Sequence, residues 1–303
     1  MIVLSGGTGT PKLLQGLRRI IPDENITVIV NTAEDIPISG NLISPDMDTV
    51  LYLFAGILDD KKWWGIKNDT FKTSETLTRL GYNEKLMLGD TDRAICIFRS
   101  ELMRNGASLT DATMRLSTAF GIRTRILPMC DEKVDTMIRT PQGTIHFQDF
   151  WVGAHGEPDI IEMKIKGIEK ARPTNEVLEA LANDDYVMIG PSNPITSVGP
   201  ILELKGVCDI LENKKVVAVS PIIGDAPVSG PAGKLMTAMG FPVSSIGVAR
   251  SYGDILDVIV IDERDTADDR DFNIEVKRFD TMMTTVEKSE ALAGFVMEAF
   301  REL

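Results

Sequence analysis

Apolar residues along this chain fall into two alternating patterns. Continuous runs at "MIVLS" (1–5), "ITVIV" (26–30), "YVMIG" (186–190), "VVAVS" (216–220) and "DVIVID" (257–262) predict strands covered on both faces, as in a parallel sheet. Between them runs helical spacing. Leu13, Leu14, Leu17 and Ile20 form a stripe behind Pro11, which suits a first helical turn. Thr174 is placed to cap "NEVLEALAN", "ILELKGVCDILEN" contains a helix, and "PAGKLMTAMG" reads as a helix with a glycine stop. A last helix covers about 287–302. "TMIRTPQGTIHFQDFWV" predicts a hairpin turning at Pro141–Gly143. The alternation predicts an α/β fold: a Rossmann-like, doubly wound, mostly parallel sheet.

The pattern changes over residues 47–120. "DTVLYLFAGIL", "SETLTRLG", "DRAICIFRSELMRNG" and "SLTDATMRLSTAFG" all have helical spacing, and few strands intervene. Ser108, with Asp111 three residues on, is close to a capping box. The expected organisation is a core of residues 1–40 and 121–303 with a small helical insertion subdomain at 41–120.

In such sheets ligands bind beyond the carboxyl ends of the strands, so the turns after each run are the place to look for chemistry. The first is "SGGTGTPK" (5–12). It lacks the Gly-Lys-Ser/Thr of a P-loop, and Lys12 stands where the third glycine of a dinucleotide fingerprint belongs. Gly6, Gly7 and Gly9 let backbone approach an anion, Thr8 and the helix start supply N–H groups, and Lys12 adds a charge. The alternative is a tight turn with no ligand. In "NTAED" (31–35) an acid follows the second strand, as a ribose ligand or a helix cap.

"SPDMDTV" places Asp46 and Asp48 before one helix, and "LGDTDRA" places Asp90 and Asp92 before another. Each alone reads as capping. Together they offer the hard oxygens that Mg²⁺ takes alongside substrate phosphates, with Arg93 placed to meet phosphate. "IGPSNPITSVGPIL" carries Ser192, Asn193, Thr196 and Ser197 on a loop stiffened by Pro191, Pro194 and Pro200. "SPIIGDAPVSGPAGKLM" repeats the first turn's logic with Ser220, Gly230, Gly233 and Lys234. These turns suit a nucleotide diphosphate, a metal and a second substrate.

Bulk composition narrows the class. A net charge of −13 argues against nonspecific nucleic-acid binding. No apolar run reaches the ~18 residues of a membrane span, and no basic leader precedes the first strand, so no signal peptide is expected. Cys96, Cys130 and Cys208 have no zinc spacing and an odd count, which points to the cytosol. His146 reads as a strand residue and His155 as a loop residue, so a Ser-His-Asp triad has little to work with.

"GGTGTPKLLQGL", "ISPDMDTVLYLFAG", "LGDTDRA", "GPSNPITSVGPIL" and "SPIIGDAPVSGPAGKLM", in that order from residue 2 to about 262, resemble the 2-phospho-L-lactate transferases of coenzyme F-420 biosynthesis. The resemblance implies a Rossmann-like fold with a helical insertion, a homodimer and Mg²⁺. It implies transfer of 2-phospho-L-lactate, or a phosphoenolpyruvyl group, from a guanylated donor such as lactyl-2-diphospho-5′-guanosine. The acceptor is the terminal ribityl hydroxyl of 7,8-didemethyl-8-hydroxy-5-deazariboflavin, and GMP leaves. Asp48 matches the family aspartate at the deazaflavin, with Asp46 beside it. Met87 occupies the second contact position, where relatives often carry a basic residue. Relatives also tend to place an arginine inside the second Asp-x-Asp, where this chain has Thr91 followed by Arg93. Asp48, Asp90 and Asp92 are then the expected metal ligands, Asp48 or Asp90 the catalytic acids, and the glycine turns with Ser192, Asn193 and Pro194 the nucleotide site. Two rivals are weighed against this: a nucleotide-sugar-binding regulatory protein of the same fold, and, more weakly, a nicotinamide-dependent dehydrogenase.

Overall fold

The computed structural model describes residues 1–303. Its centre is a seven-stranded sheet: β1 (Ile2–Ser5), β2 (Thr27–Val30), β3 (Arg125–Pro128), β4 (Tyr186–Ile189), β5 (Lys215–Val219), β6 (Val258–Asp262) and β7 (Glu275–Phe279). All neighbours are parallel, in the order β3-β2-β1-β4-β5-β6-β7. Order reverses between β1 and β4, which makes that crevice the topological switch point.

The continuous apolar runs have a simple cause. Along each strand, alternate side chains enter two separate cores. Ile2, Leu4, Ile29, Val187, Ile189, Val216 and Ala218 join one. Val3, Val28, Val30, Met188, Val217 and Val219 join the other. With both faces dry, no position is left for polar alternation.

Helix α1 (Gly9–Leu17) buries Leu13, Leu14 and Leu17 against the second core. Ile20 departs from the expected stripe: it lies beyond the helix end and is exposed, because the helix stops at Leu17. Helix α2 (Pro45–Ala55) starts on Pro45 and ends at left-handed Gly56. Its Met47, Val50 and Leu51 enter the same core as α1 and the terminal helix Val286–Glu302. Residues 41–120 thus continue into the main core. Only Ile36, Ile38, Ile43, Leu88 and Cys96 form a local cluster.

Beyond α2 come α3 (Lys72–Arg79), α4 (Asp90–Arg104), α5 (Leu109–Ala119) and, after β3, α6 (Asn175–Asn183). Both side chains of the Ser108–Asp111 capping box are in place at α5, and Thr174 caps α6. Ser108→Ala is expected to cost about 1 kcal/mol, read as a lowered urea midpoint with unchanged slope.

The hairpin turning at Pro141–Gly143 forms from Asp135–Thr140 and Gly143–His146. A third antiparallel strand, Glu162–Lys166, completes a small sheet that the apolar pattern did not announce. It carries the loop with Trp151 over the carboxyl edge of the main sheet, where it meets the cavity described next.

Candidate active site

Because every central strand runs the same way, the turns after β1, β2, β4, β5 and β7 emerge on one edge. They enclose a cavity of about 1000 Å³ at the switch point. Gly7, Thr8, Gly9 and Lys12 line it, with Asp46, Asp48, Met87, Asp92, Ser192, Asn193, Ser220 and Gly230. Five expected site residues do not. Gly6 is buried under Ser197, Pro194 packs beneath its loop, and Gly233 lines a neighbouring cleft of about 680 Å³. Asp90 and Arg93 also lie elsewhere, for reasons that their partners give.

Asp90 and Asp69 cap each other's helices. Asp90 accepts from the N–H groups of Lys72 and Thr73 at 3.1 and 3.0 Å and from the Thr70 hydroxyl at 2.5 Å, closing the start of α3. Asp69 accepts from the amides of Thr91 and Asp92, closing α4. The Thr70 and Thr73 hydrogen bonds hold the Asp90 carboxyl well below the usual range. Its oxygens are committed to the start of α3, and it does not line the cavity. Arg93 forks onto Glu84 at 2.9 and 2.5 Å and donates to Ser74, so its charge is spent inside the 70–93 region rather than on phosphate.

Asp48 sits in the first turn of α2, where the helix dipole favours an acid. Arg99, wholly buried on α4, donates to both of its oxygens. That grip anchors the carboxylate and fixes the direction of its oxygens. Asp92, one helix face away, accepts from the Tyr52 hydroxyl at 2.7 Å. Burial and then the Asp48 charge push Asp92 up to about 6. Ligand atoms of Asp48, Asp92 and Cys96 lie within 4.8 Å of one another.

Asp46 plays a different part. It accepts the Gly7 N–H at 2.8 Å and the Asn31 amide at 2.9 Å. It therefore fixes the glycine turn, and it takes up the Gly7 N–H. Burial pushes Asp46 up to about 6. The Thr8 N–H has no acceptor in the protein; in the helix turn after it, Thr10 spends its N–H on Ser192 Oγ and Pro11 has none. Lys12 is half-buried, its pKa lowered by burial, with its ammonium 5.5 Å from the Trp63 ring and no carboxylate partner.

Two of the turn's glycines are demanded by packing. A Cβ on Gly9 would lie 1.8 Å from the Pro191 carbonyl oxygen, and one on Gly6 would lie 2.7 Å from the Ser197 Cβ. Ser192 ties the loop down by donating to the Gly6 carbonyl and accepting from the Thr10 N–H at 3.1 Å.

Several residues in or behind the cavity wall went unread in the sequence. Arg99 had a signal: with Asp92 and Cys96 it forms an i, i+4, i+7 stripe on the buried face of α4, and a charge there demands a partner. Thr281–Thr284 arrive through β7, whose burial is only partial and whose letters are mixed. Asp262 holds that segment by accepting from the Thr281 N–H and hydroxyl, and Arg264 binds the same carboxylate. Trp64, Trp151 and Val228 form an exposed apolar rim with Met87.

Sheet order, a switch-point cavity and convergent carboxylates define an α/β protein of the Rossmann class with its site at the carboxyl edge. A family model described as 2-phospho-L-lactate transferase CofD matches residues 1–292. Curated relatives carry the same name. The one from Methanosarcina acetivorans is 59% identical over 303 residues, 99% of each chain. The one from Methanocaldococcus jannaschii is 44% identical over 300 residues, 98% of this chain and 96% of that one. A solved UPF0052 family protein from Bacillus halodurans superposes with a TM-score of 0.66 at 17% identity, covering 98% of this chain and 97% of that one, which speaks for the fold. The chain belongs to the 2-phospho-L-lactate transferase (CofD) family and is a transferase.

Proposed function

We propose that this transferase moves the 2-phospho-L-lactyl group, or its enolpyruvyl counterpart, from a guanylated donor to the terminal ribityl hydroxyl of 7,8-didemethyl-8-hydroxy-5-deazariboflavin, with release of GMP. The observation that carries the reading is one cavity of about 1000 Å³ holding both an anion-type turn and a carboxylate pair. That volume suits two ligands side by side. The relatives' names support the transferase reading over the regulatory alternative.

The donor's diphosphate is placed against Thr8, Gly9 and Lys12, where the free Thr8 N–H and an ammonium without a carboxylate partner meet negative charge. The flat deazaflavin is placed under Trp64, Met87, Trp151 and Val228. Transfer then depends on holding hydroxyl and phosphorus in line.

A Mg²⁺ ion belongs to this reading, and the residues fit one. Asp48 and Asp92 present hard oxygens on the cavity wall, and the raised Asp92 carboxyl marks a place where positive charge is lacking. Bound there, the ion supplies charge neutralisation to phosphoryl oxygens. Arg99 holds Asp48 in place, and Tyr52 orients Asp92. Homodimeric assembly and a cytoplasmic location complete the reading; no helix is long and apolar enough to cross a membrane.

The deciding assay mixes the purified chain, the deazaflavin, the guanylated donor and Mg²⁺, and follows GMP by chromatography. Asp48→Asn is expected to lower turnover at least about a hundredfold with unchanged circular dichroism, since Asn can still accept from Arg99. No GMP from the wild-type chain refutes the reading. Wild-type turnover in the variant removes Asp48 from it.

A further inference from the structure

Three polar atoms on one part of the cavity wall are poorly satisfied inside the protein: Asn193 Nδ2 has no partner, and Glu34 Oε1 and Thr196 Oγ1 have at most each other. Glu34 is 6% exposed and Thr196 1%. The Thr196 hydroxyl lies beside the Glu34 carboxyl. Asn31 stitches this corner together by donating to Asp46 Oδ2 and to the Thr196 carbonyl. Asn193 spends its Oδ1 on the Ile195 N–H at 3.0 Å, so its Nδ2 remains a free donor on the same loop. A buried polar group left unpaired is costly, and three so poorly satisfied at one wall mark a place that a ligand completes.

The donor set states what kind of ligand. Glu34 and Asp46 put two carboxyl groups together, and neither is ion-paired to a cationic side chain. A phosphate there meets like charge. A metal cation meets the Asn193 N–H dipole, which repels it. Burial, followed by the Asp46 charge, raises the Glu34 carboxyl well above its usual range. Hydroxyl groups, which donate and accept at one oxygen, match all three atoms.

We propose that Glu34, Asn193 and Thr196 form a hydroxyl-recognition subsite that takes a neutral polyol segment of a substrate and turns phosphate away. It rests on the transferase reading above and moves Asn193 from the phosphate contacts to this one. Two substrates carry such a segment: the acceptor's ribityl chain and the donor's ribose.

The test is binding to the full chain, by fluorescence or calorimetry, for wild type, Thr196→Val and Glu34→Gln. The probes are the deazaflavin, the same ring with a methyl group in place of the ribityl chain, and GDP. Each variant is expected to weaken either the deazaflavin or GDP about tenfold, with the methyl analogue bound as by wild type and the thermal midpoint not lowered. Loss on the deazaflavin assigns the subsite to the ribityl chain, and loss on GDP assigns it to the ribose. Unchanged affinity for both, an equal loss for the methyl analogue, or a fall in midpoint that accounts for the loss overturns the subsite and leaves the transferase reading intact. A wild-type chain that binds neither the deazaflavin nor GDP overturns the transferase reading, and the subsite with it.

Discussion

Arg99→Met is expected to remove about 3–5 kcal/mol of folding stability, the largest effect of any single substitution considered for this chain. Arg99 has no solvent exposure, and its guanidinium binds both oxygens of Asp48. Without it, Asp48 is left buried and uncompensated beside Asp92 and within the field of Asp35. Methionine fills the volume but supplies no charge. The measurement is the urea midpoint of the single variant against Arg99→Met/Asp48→Leu. The double variant is expected to regain most of the loss, because a buried pair removed together leaves no orphan charge. Arg99→Lys should recover only part, since an ammonium cannot fork onto two oxygens. A single variant as stable as wild type would show that the pair holds nothing together.

Gly9→Ala is expected to cost about 1–3 kcal/mol in packing strain and at least about a hundredfold in turnover. The new methyl would sit 1.8 Å from the Pro191 carbonyl oxygen, which is backbone and cannot swing aside as a flexible side-chain end can. Either the glycine turn or the loop after β4 must shift, and both line the cavity. GMP release and the thermal midpoint are read together. Normal turnover in this variant would mean that close contact between turn and loop is not what sets the site's geometry.

The five apolar runs were legible because double-sided burial leaves nothing but apolar letters. β3 and β7, the two edges, were not. "RILP" is short and closes on a proline, while "EVKRF" carries charges on a strand that is only half covered. The glycine turn, Asp46, Asp48, Asp92 and the Ser192–Asn193 loop reached the cavity because a parallel sheet sends every such turn to one edge. Asp90 did not, for a local reason: an acid before a helix reads alike whether it serves its own helix, a ligand, or, as here, the helix before it. Arg99 was hidden by distance, its partner lying 51 positions back along the chain. Glu34 was noticed only as an acid after a strand. What sets it apart is a poorly satisfied atom, and no spacing rule records that.

The order of the sheet also bears on how the protein is made. β1 leaves the ribosome first, yet it finishes between β2 and β4, with Ile2 paired to Thr27 on one side and Val187 on the other. At about 5–20 residues per second, the nascent chain waits about 10–40 s with one side of its future central strand unpaired. An open apolar edge of that kind invites misassociation. A chain halted before β4 therefore has neither a closed sheet nor a switch-point crevice.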